Sequence, residues 1–274
     1  MRNERRIGSR LFMALVFLFL YAPIFVLIVF SFNSSKSRAV WTGFSLDWYR
    51  ELLRDDLILD AFYTTLAVSV LAAVIATVAG TFAAIGFYNM RKRWSRPLLT
   101  INNIPVINAD IATGVSLCLL FVAAGGILHF DLGYVTLLIA HITFNIPYVI
   151  MSIMPKLYQM DKNLIDAAQD LGCTWMQAFY KVVIPEIMPG IINGLLIAFT
   201  MSIDDFVISY FTAGSKVQTL SMTIYAMTRK RISPEINAVS TLLFVTVLLL
   251  LAIVNIREMQ QENARKKALK RAQQ

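Results

Sequence analysis

Charged residues are scarce in this sequence of 274 residues, since Asp, Glu, Lys and Arg make up 15% of it and hydrophobic residues 57%. A soluble domain carries roughly 25% charged residues. The apolar residues are also gathered into long runs, which a bilayer requires. The composition therefore excludes an ordinary soluble domain and predicts an all-α integral membrane protein.

Residues for disulfides, metal binding and catalysis are equally few. The two cysteines, Cys118 in an apolar run and Cys173 in a polar loop, belong to different environments, which predicts neither a disulfide nor a metal site. The two histidines, His129 and His141, form no recognisable catalytic group with serine and acidic residues. The sequence also has no G-x-x-x-x-G-K-S/T phosphate loop. We therefore expect no enzyme activity, no cofactor and no ATPase within this chain.

Six apolar runs are long enough to span a membrane, for which an α-helix needs roughly 20 residues. No A-x-A-like cleavage site follows the first run, so we expect an uncleaved anchor helix and not a signal peptide. The predicted transmembrane helices are 11–32, 62–88, 98–124, 134–154, 191–213 and 237–256.

Lysine and arginine are distributed unevenly between the connecting segments. Alternate segments, beginning with the amino end, hold 17 of the 25 Lys and Arg residues. Cytoplasmic loops are enriched in positive charge, so both termini are expected inside, and the +8 net charge indicates membrane orientation and not nucleic-acid binding. The predicted layout is a cytoplasmic amino end with the first helix (1–32), an external loop (33–61), a transmembrane core (62–256) and a basic cytoplasmic tail (257–274).

The segment between the fourth and fifth spans carries the signals of two short helices outside the membrane. Asp161 is placed to cap the first helix, and Gly172 suits the left-handed residue that ends it. A Thr174-x-x-Gln177 capping box begins the second helix, which is expected to stop near Pro185. The element is either an amphipathic pair on lipid headgroups or a rigid projection that docks into another protein.

One motif in this segment reads Asp166-Ala167-Ala168-x-x-x-Gly172, followed after nine residues by Val182-Val183-Ile184-Pro185. It resembles the EAA loop of ABC importer permeases. That family has the pattern E-A-A-x3-G-x9-I-x-L-P, and the three departures keep charge or shape. The resemblance implies six transmembrane helices in the type I (MetI-like) permease fold. It also implies that loop 155–190 couples a separate ATPase to the membrane through Asp166, Ala167, Ala168, Gly172 and Pro185.

Three aspartates lie inside predicted spans. Asp110 falls near the middle of the third span and Asp204 and Asp205 near the middle of the fifth, and neither span contains Lys or Arg. Ionisable groups in a bilayer cost at least about 2.5–3.5 kcal/mol and usually face a pathway. The aspartates therefore predict a cation pathway, although structural roles in broken helices are the alternative, and the asparagines near Asp110 indicate such a break. Adjacent helical residues point about 100° apart, so only one of Asp204 and Asp205 is expected to face the passage well.

Further patches between residues 31 and 241 resemble permeases of the spermidine/putrescine importers, such as those of the PotC type. This resemblance implies a polyamine substrate and ATP-driven alternating access in the lipid of a bacterial inner membrane. The implied partners are two ATP-binding cassette subunits, a second homologous permease and an extracytoplasmic substrate-binding protein. The patches are Ser31 to Ser35, Trp41 to Phe44, Trp48 with Tyr49, His141 to Phe144 with Pro147, Phe199 to Asp205, Ile224 with Tyr225, and Ser233 to Ala238.

Other interpretations stay open at this point. The same importer class serves ferric iron, phosphonate, thiamine or sulfate, and acidic residues along the passage favour a cation among these. A channel or an ion-driven secondary carrier has no use for the EAA-like loop. A scaffold subunit gains nothing from deep unpaired acids. The sequence does not separate spermidine from putrescine, nor does it identify the partner permease.

Overall fold

The computed structural model describes residues 2–35, 40–161, 163–230, 236–249, 251–252 and 256. The basic tail 257–274 and the patch residues 233–235 lie outside these described residues. In chain order the helices are α1 (Arg2–Ser31), α2 (Asp47–Leu52), α3 (Asp56–Asn89), α4 (Lys92–Asn102), α5 (Ile104–Ile107), α6 (Asp110–Leu128), α7 (Tyr134–Gln159), α8 (Asn163–Asp170), α9 (Trp175–Ala178), α10 (Ile184–Ile203), α11 (Val207–Thr212), α12 (Leu220–Lys230) and α13 (Ile236–Leu249), with a π-helical turn at Phe179–Val183.

Five helical stretches are long and apolar enough to cross a membrane, and the predicted all-α membrane architecture is confirmed. The shorter apolar helix α13 corresponds to the first part of the sixth predicted span, of which residues 250 and 253–255 lie outside the described part of the chain. The third and fifth spans differ from their predicted bounds. The five stretches are Phe12–Ser31, Asp56–Asn89, Asp110–Leu128, Tyr134–Gln159 and Trp175–Ile203.

The described residues form two compact units, one within Met1–Leu59 and Thr223–Ile253 and the other mainly within Asp60–Met222. In the first unit, Asn33 organises the loop after α1. Its Oδ1 accepts the backbone N–H of Thr42 at 3.0 Å, and its carbonyl accepts the indole N–H of the buried Trp48 at 2.7 Å. Sequence patches in the predicted external loop therefore have a structural role, since buried polar groups need such partners.

Helix α7 lies at the centre of the second unit, where α10, α11 and the middle of α3 pack against it. Small residues permit this close approach. A Cβ atom added to Gly80 of α3 would lie 2.7 Å from Cγ1 of Val149, and one added to Gly190 of α10 would lie 3.1 Å from the carbonyl oxygen of Ser152. Membrane helices gain stability from such contacts, since lipid offers no hydrophobic drive for association. The packing fixes α10 and the elements that follow it.

Candidate functional site

The fifth span is interrupted at the two adjacent aspartates. Helix α10 ends at Ile203 and α11 begins at Val207, so the expectation of one continuous helix over 191–213 is wrong. Asp205 accounts for the break, because its carboxylate accepts the backbone N–H groups of Ile208 at 3.2 Å and Ser209 at 2.7 Å. These are donors of the first turn of α11, which lack partners inside the helix. The carboxylate therefore stabilises a new helix start inside an apolar run.

A buried hydrogen-bonded chain ties this break to α7. The Ser209 hydroxyl donates to Oδ2 of Asp205 at 2.8 Å, so its oxygen is left to accept from Nε2–H of His141 at 3.0 Å. Nδ1 of the same ring forms a hydrogen bond of 2.6 Å with the Ser202 hydroxyl. His141 is 1% exposed and is thereby satisfied at both ring nitrogens. His141 therefore acts as a packing residue that joins α7 to both sides of the break.

The two aspartates of the break differ in environment. The Asp205 side chain is 9% exposed and engaged in the chain just described, whereas Asp204 is exposed. The sequence argument from a 100° separation presumed a helix that is absent here, since Asp204 follows the last residue of α10. Of the pair, Asp204 is the exposed carboxylate, and Asp205 fits the structural alternative.

Asp110 also lies at a helix break. The prediction that it falls near the middle of the third span is therefore wrong. Helix α4 ends at Asn102, Asn108 is extended with ψ 152°, and the third long apolar helix begins at Asp110. A carboxylate in the first turn of a helix is stabilised by the helix dipole. The side chain is exposed. One turn further on, Gly114 of α6 packs against Phe211 of α11.

Two helix breaks, each with an exposed carboxylate, therefore lie on elements of the same unit that pack against each other. Asp110 stands at the start of α6, and Asp204 stands in the break between α10 and α11. Carboxylates on neighbouring elements can attract a cation and repel an anion. This arrangement is the candidate solute site.

The segment after α7 forms the two helices expected from its capping signals. Oδ1 of Asp161 accepts the backbone N–H of Asn163 at 3.0 Å, and Gly172 has the positive φ of 86° that ends α8. The Thr174 hydroxyl accepts the N–H of Gln177, whose side chain in turn accepts the N–H of Thr174. These local predictions are confirmed by the geometry.

Pro185 does not end the second helix, so that part of the prediction is wrong. The chain stays helical from Trp175 through the π-helical turn into α10, and Pro185 stands in the first turn of α10. In the turn, the N–H of Ile184 reaches five residues back to the carbonyl of Phe179. The wider turn accommodates the missing N–H of proline, which a helix tolerates at its beginning. Phe179 and Val183 are buried in the core and hold the turn in place.

We call α8 and α9, with the turn at Gly172 between them, the projection; it has one packed side and one exposed side. Ala168 packs inward, while Asp166, Ala167, Gly172 and Pro185 are exposed. Large apolar side chains extend the exposed side beyond them. Leu171 is 88% exposed, Trp175 56% and Met176 54%. We define these three residues as the apolar tip of the projection.

Known proteins are similar to this chain in sequence and in fold. The family described as "Binding-protein-dependent transport system inner membrane component" matches residues 76–260. The putrescine transport system permease protein PotI of Escherichia coli (strain K12) is 42% identical over 230 residues, which are 83% of this chain and 82% of PotI. The spermidine/putrescine transport system permease protein PotC of the same strain is 35% identical over 239 residues, 87% of this chain and 89% of PotC.

A solved structure supports the fold independently of close sequence similarity. A chain of a bacterial ABC transporter involved in the import of the acidic polysaccharide alginate superposes with a TM-score of 0.70 at 16% identity, covering 93% of this chain and 97% of that chain. The type I ABC importer permease fold predicted from the EAA-like loop is confirmed. The chain belongs to the family of binding-protein-dependent transport system inner membrane components.

Proposed function

We propose that the chain is a permease subunit of an ABC importer that moves putrescine or spermidine across a bacterial inner membrane. The observation that supports a polyamine substrate is the pair of exposed carboxylates, Asp110 and Asp204, at neighbouring helix breaks. Polyamines carry spaced ammonium groups that such carboxylates bind. The names of PotI and PotC support the same substrate class.

The fold by itself does not decide the charge of the substrate. The alginate transporter has the same fold and is involved in importing an acidic polysaccharide. Carboxylates at the breaks would repel such a polyanion in a passage of low dielectric constant. The side chains at the breaks, and not the arrangement of helices, therefore favour a cation for this chain.

The partners follow from the importer class. A second homologous permease would complete the passage, two ATPase subunits would dock on the cytoplasmic side, and a substrate-binding protein would deliver the solute outside. Both termini would be cytoplasmic, in agreement with the distribution of Lys and Arg. In this orientation α8 and the apolar tip would lie on the side of the ATPase.

The coupling role rests on the projection. Ile165 packs α8 against the core and Ala168 is buried, while Asp166 and Ala167 are exposed. Gly172, with its positive φ, forms the turn between α8 and α9. A projection of rigid helices transmits a push to α10, because α9, the π-helical turn and α10 form one continuous helical stretch. Movement of the projection would therefore reach Asp204 at the end of α10.

Leu171→Asp is expected to abolish most ATP-driven putrescine uptake while the chain remains folded in the membrane. Leu171 is 88% exposed, so the change costs little folding energy, but a charge on the apolar tip disfavours burial in a partner's groove. Uptake of labelled putrescine and co-purification of the ATPase subunit are the measurements, in cells that express the full transporter.

Leu53→Asp is the matched control, because Leu53 is 64% exposed in the predicted external loop. It should leave both uptake and ATPase binding unchanged. Normal ATPase binding and uptake in Leu171→Asp would refute the coupling role of the tip. Absence of putrescine and spermidine uptake in the wild type would refute the proposal that the substrate is a polyamine.

A further inference from the structure

Helix α4 takes no part in the proposed passage or coupling loop, although its sequence is unusual. Its orientation is fixed by one buried face, because the Ser95 hydroxyl donates to the carbonyl of Phe87 at 2.8 Å and Leu99 packs against the core. Successive residues turn about 100° around a helix, so the buried face determines where the other side chains point. Two further faces remain, and both are exposed.

The first exposed face is apolar. Trp94, Leu98 and Ile101 follow one another at intervals of four and three residues and so share one side of α4. Their exposed fractions are 57%, 36% and 59%. A tryptophan beside aliphatic residues on a short helix is typical of the boundary between headgroups and acyl chains.

The second exposed face is basic and lies roughly 160° from the apolar one. It consists of Lys92, Arg93 and Arg96, and Arg91 precedes it directly. Within the described part of the chain, none of these four forms an ion pair with a carboxylate. The Arg93 guanidinium lies 5.5 Å from the Trp94 ring centroid, which is a cation–π contact between one residue of each face.

We propose that α4 is an interfacial helix that binds an anionic phospholipid, with Trp94, Leu98 and Ile101 against the acyl chains and the basic face on the headgroup. Guanidinium groups suit phosphate oxygens, with which they form paired charge-assisted hydrogen bonds. A zwitterionic lipid offers the same phosphate, but its choline offsets the attraction. The unpaired charges therefore select phosphatidylglycerol or cardiolipin over phosphatidylcholine.

The test places the assembled transporter in vesicles of phosphatidylcholine and phosphatidylglycerol in which one lipid at a time carries bromine on its acyl chains. Bromine quenches tryptophan on contact, and the difference between the wild type and Trp94→Phe isolates Trp94 from the other three tryptophans of the chain. Brominated phosphatidylglycerol is expected to quench Trp94 on the order of tenfold more effectively per mole than brominated phosphatidylcholine.

The triple variant Lys92→Gln, Arg93→Gln, Arg96→Gln should lose this preference but keep quenching by both lipids, since its apolar face is intact. Arg50→Gln with Arg54→Gln removes exposed arginines elsewhere and should preserve the preference. Equal quenching of the wild type by the two lipids would overturn the proposal, because the basic cluster would then serve orientation alone. Absence of quenching by either lipid would also overturn it, since a protein partner would then cover the face.

Discussion

Asp204→Asn is expected to lower putrescine uptake at least about tenfold without reducing the amount of chain in the membrane. The amide keeps the size of the side chain and removes the charge that would hold an ammonium group at the α10–α11 break. A tenfold loss corresponds to about 1.4 kcal/mol, which is modest beside the roughly 4 kcal/mol of an ion pair at 4 Å in a partly polar site. Because Asp204 is exposed, the structural cost of the change is small.

Two further variants separate a passage role from a general effect of charge. Asp47→Asn makes the same change on a side chain that is 74% exposed in α2, and uptake should stay normal. Asp205→Asn should instead reduce the stability of the chain, since Asp205 accepts three hydrogen bonds at the start of α11. Normal uptake by Asp204→Asn would mean that the exposed carboxylate does not meet the solute.

His141→Asn is expected to destabilise the folded chain by about 2–3 kcal/mol. The shorter asparagine side chain can replace only the hydrogen bond between Nδ1 and Ser202. Ser209 then loses its hydrogen bond with Nε2. It also removes the ring contact with Phe144, whose centroid lies 5.3 Å away. The measurement is the thermal unfolding midpoint of the purified transporter, followed at equal lipid content.

His129→Asn is the matched control for this change. His129 is exposed and has a φ of 57°, a left-handed conformation that asparagine tolerates. The unfolding midpoint of the His129→Asn variant should therefore remain close to that of the wild type. If His141→Asn unfolds at the same temperature as His129→Asn, the buried chain through Ser202, Ser209 and Asp205 contributes nothing measurable.

Signals that act over a few residues were readable from the sequence. The cap at Asp161, the left-handed Gly172 and the Thr174-x-x-Gln177 box each depend on hydrogen bonds within a few residues along the chain, and each is formed. Apolar runs likewise predicted most membrane helices, because spanning length is set by the bilayer. These features need no knowledge of the tertiary fold.

Features that depend on distant partners were not readable. Ser202 and Ser209 are 61 and 68 residues from His141, and no spacing rule brings them together. The break before α11 lies within an apolar run, since Asp205 supplies the missing hydrogen bonds from its own side chain. Pro185 stays within a helix because the packing of Phe179 and Val183 supports a π-helical turn. Tertiary contacts overrode local propensity at each of these places.

The central claim, ATP-driven passage of a polyamine, is tested most directly in proteoliposomes that contain this chain, its partner permease, the ATPase subunits and the substrate-binding protein. Labelled putrescine should accumulate with ATP, fail to accumulate with a non-hydrolysable analogue, and be displaced by unlabelled spermidine but not by thiamine or phosphonate. Accumulation driven by an ion gradient in vesicles without the ATPase subunits would contradict the account and indicate a carrier or channel.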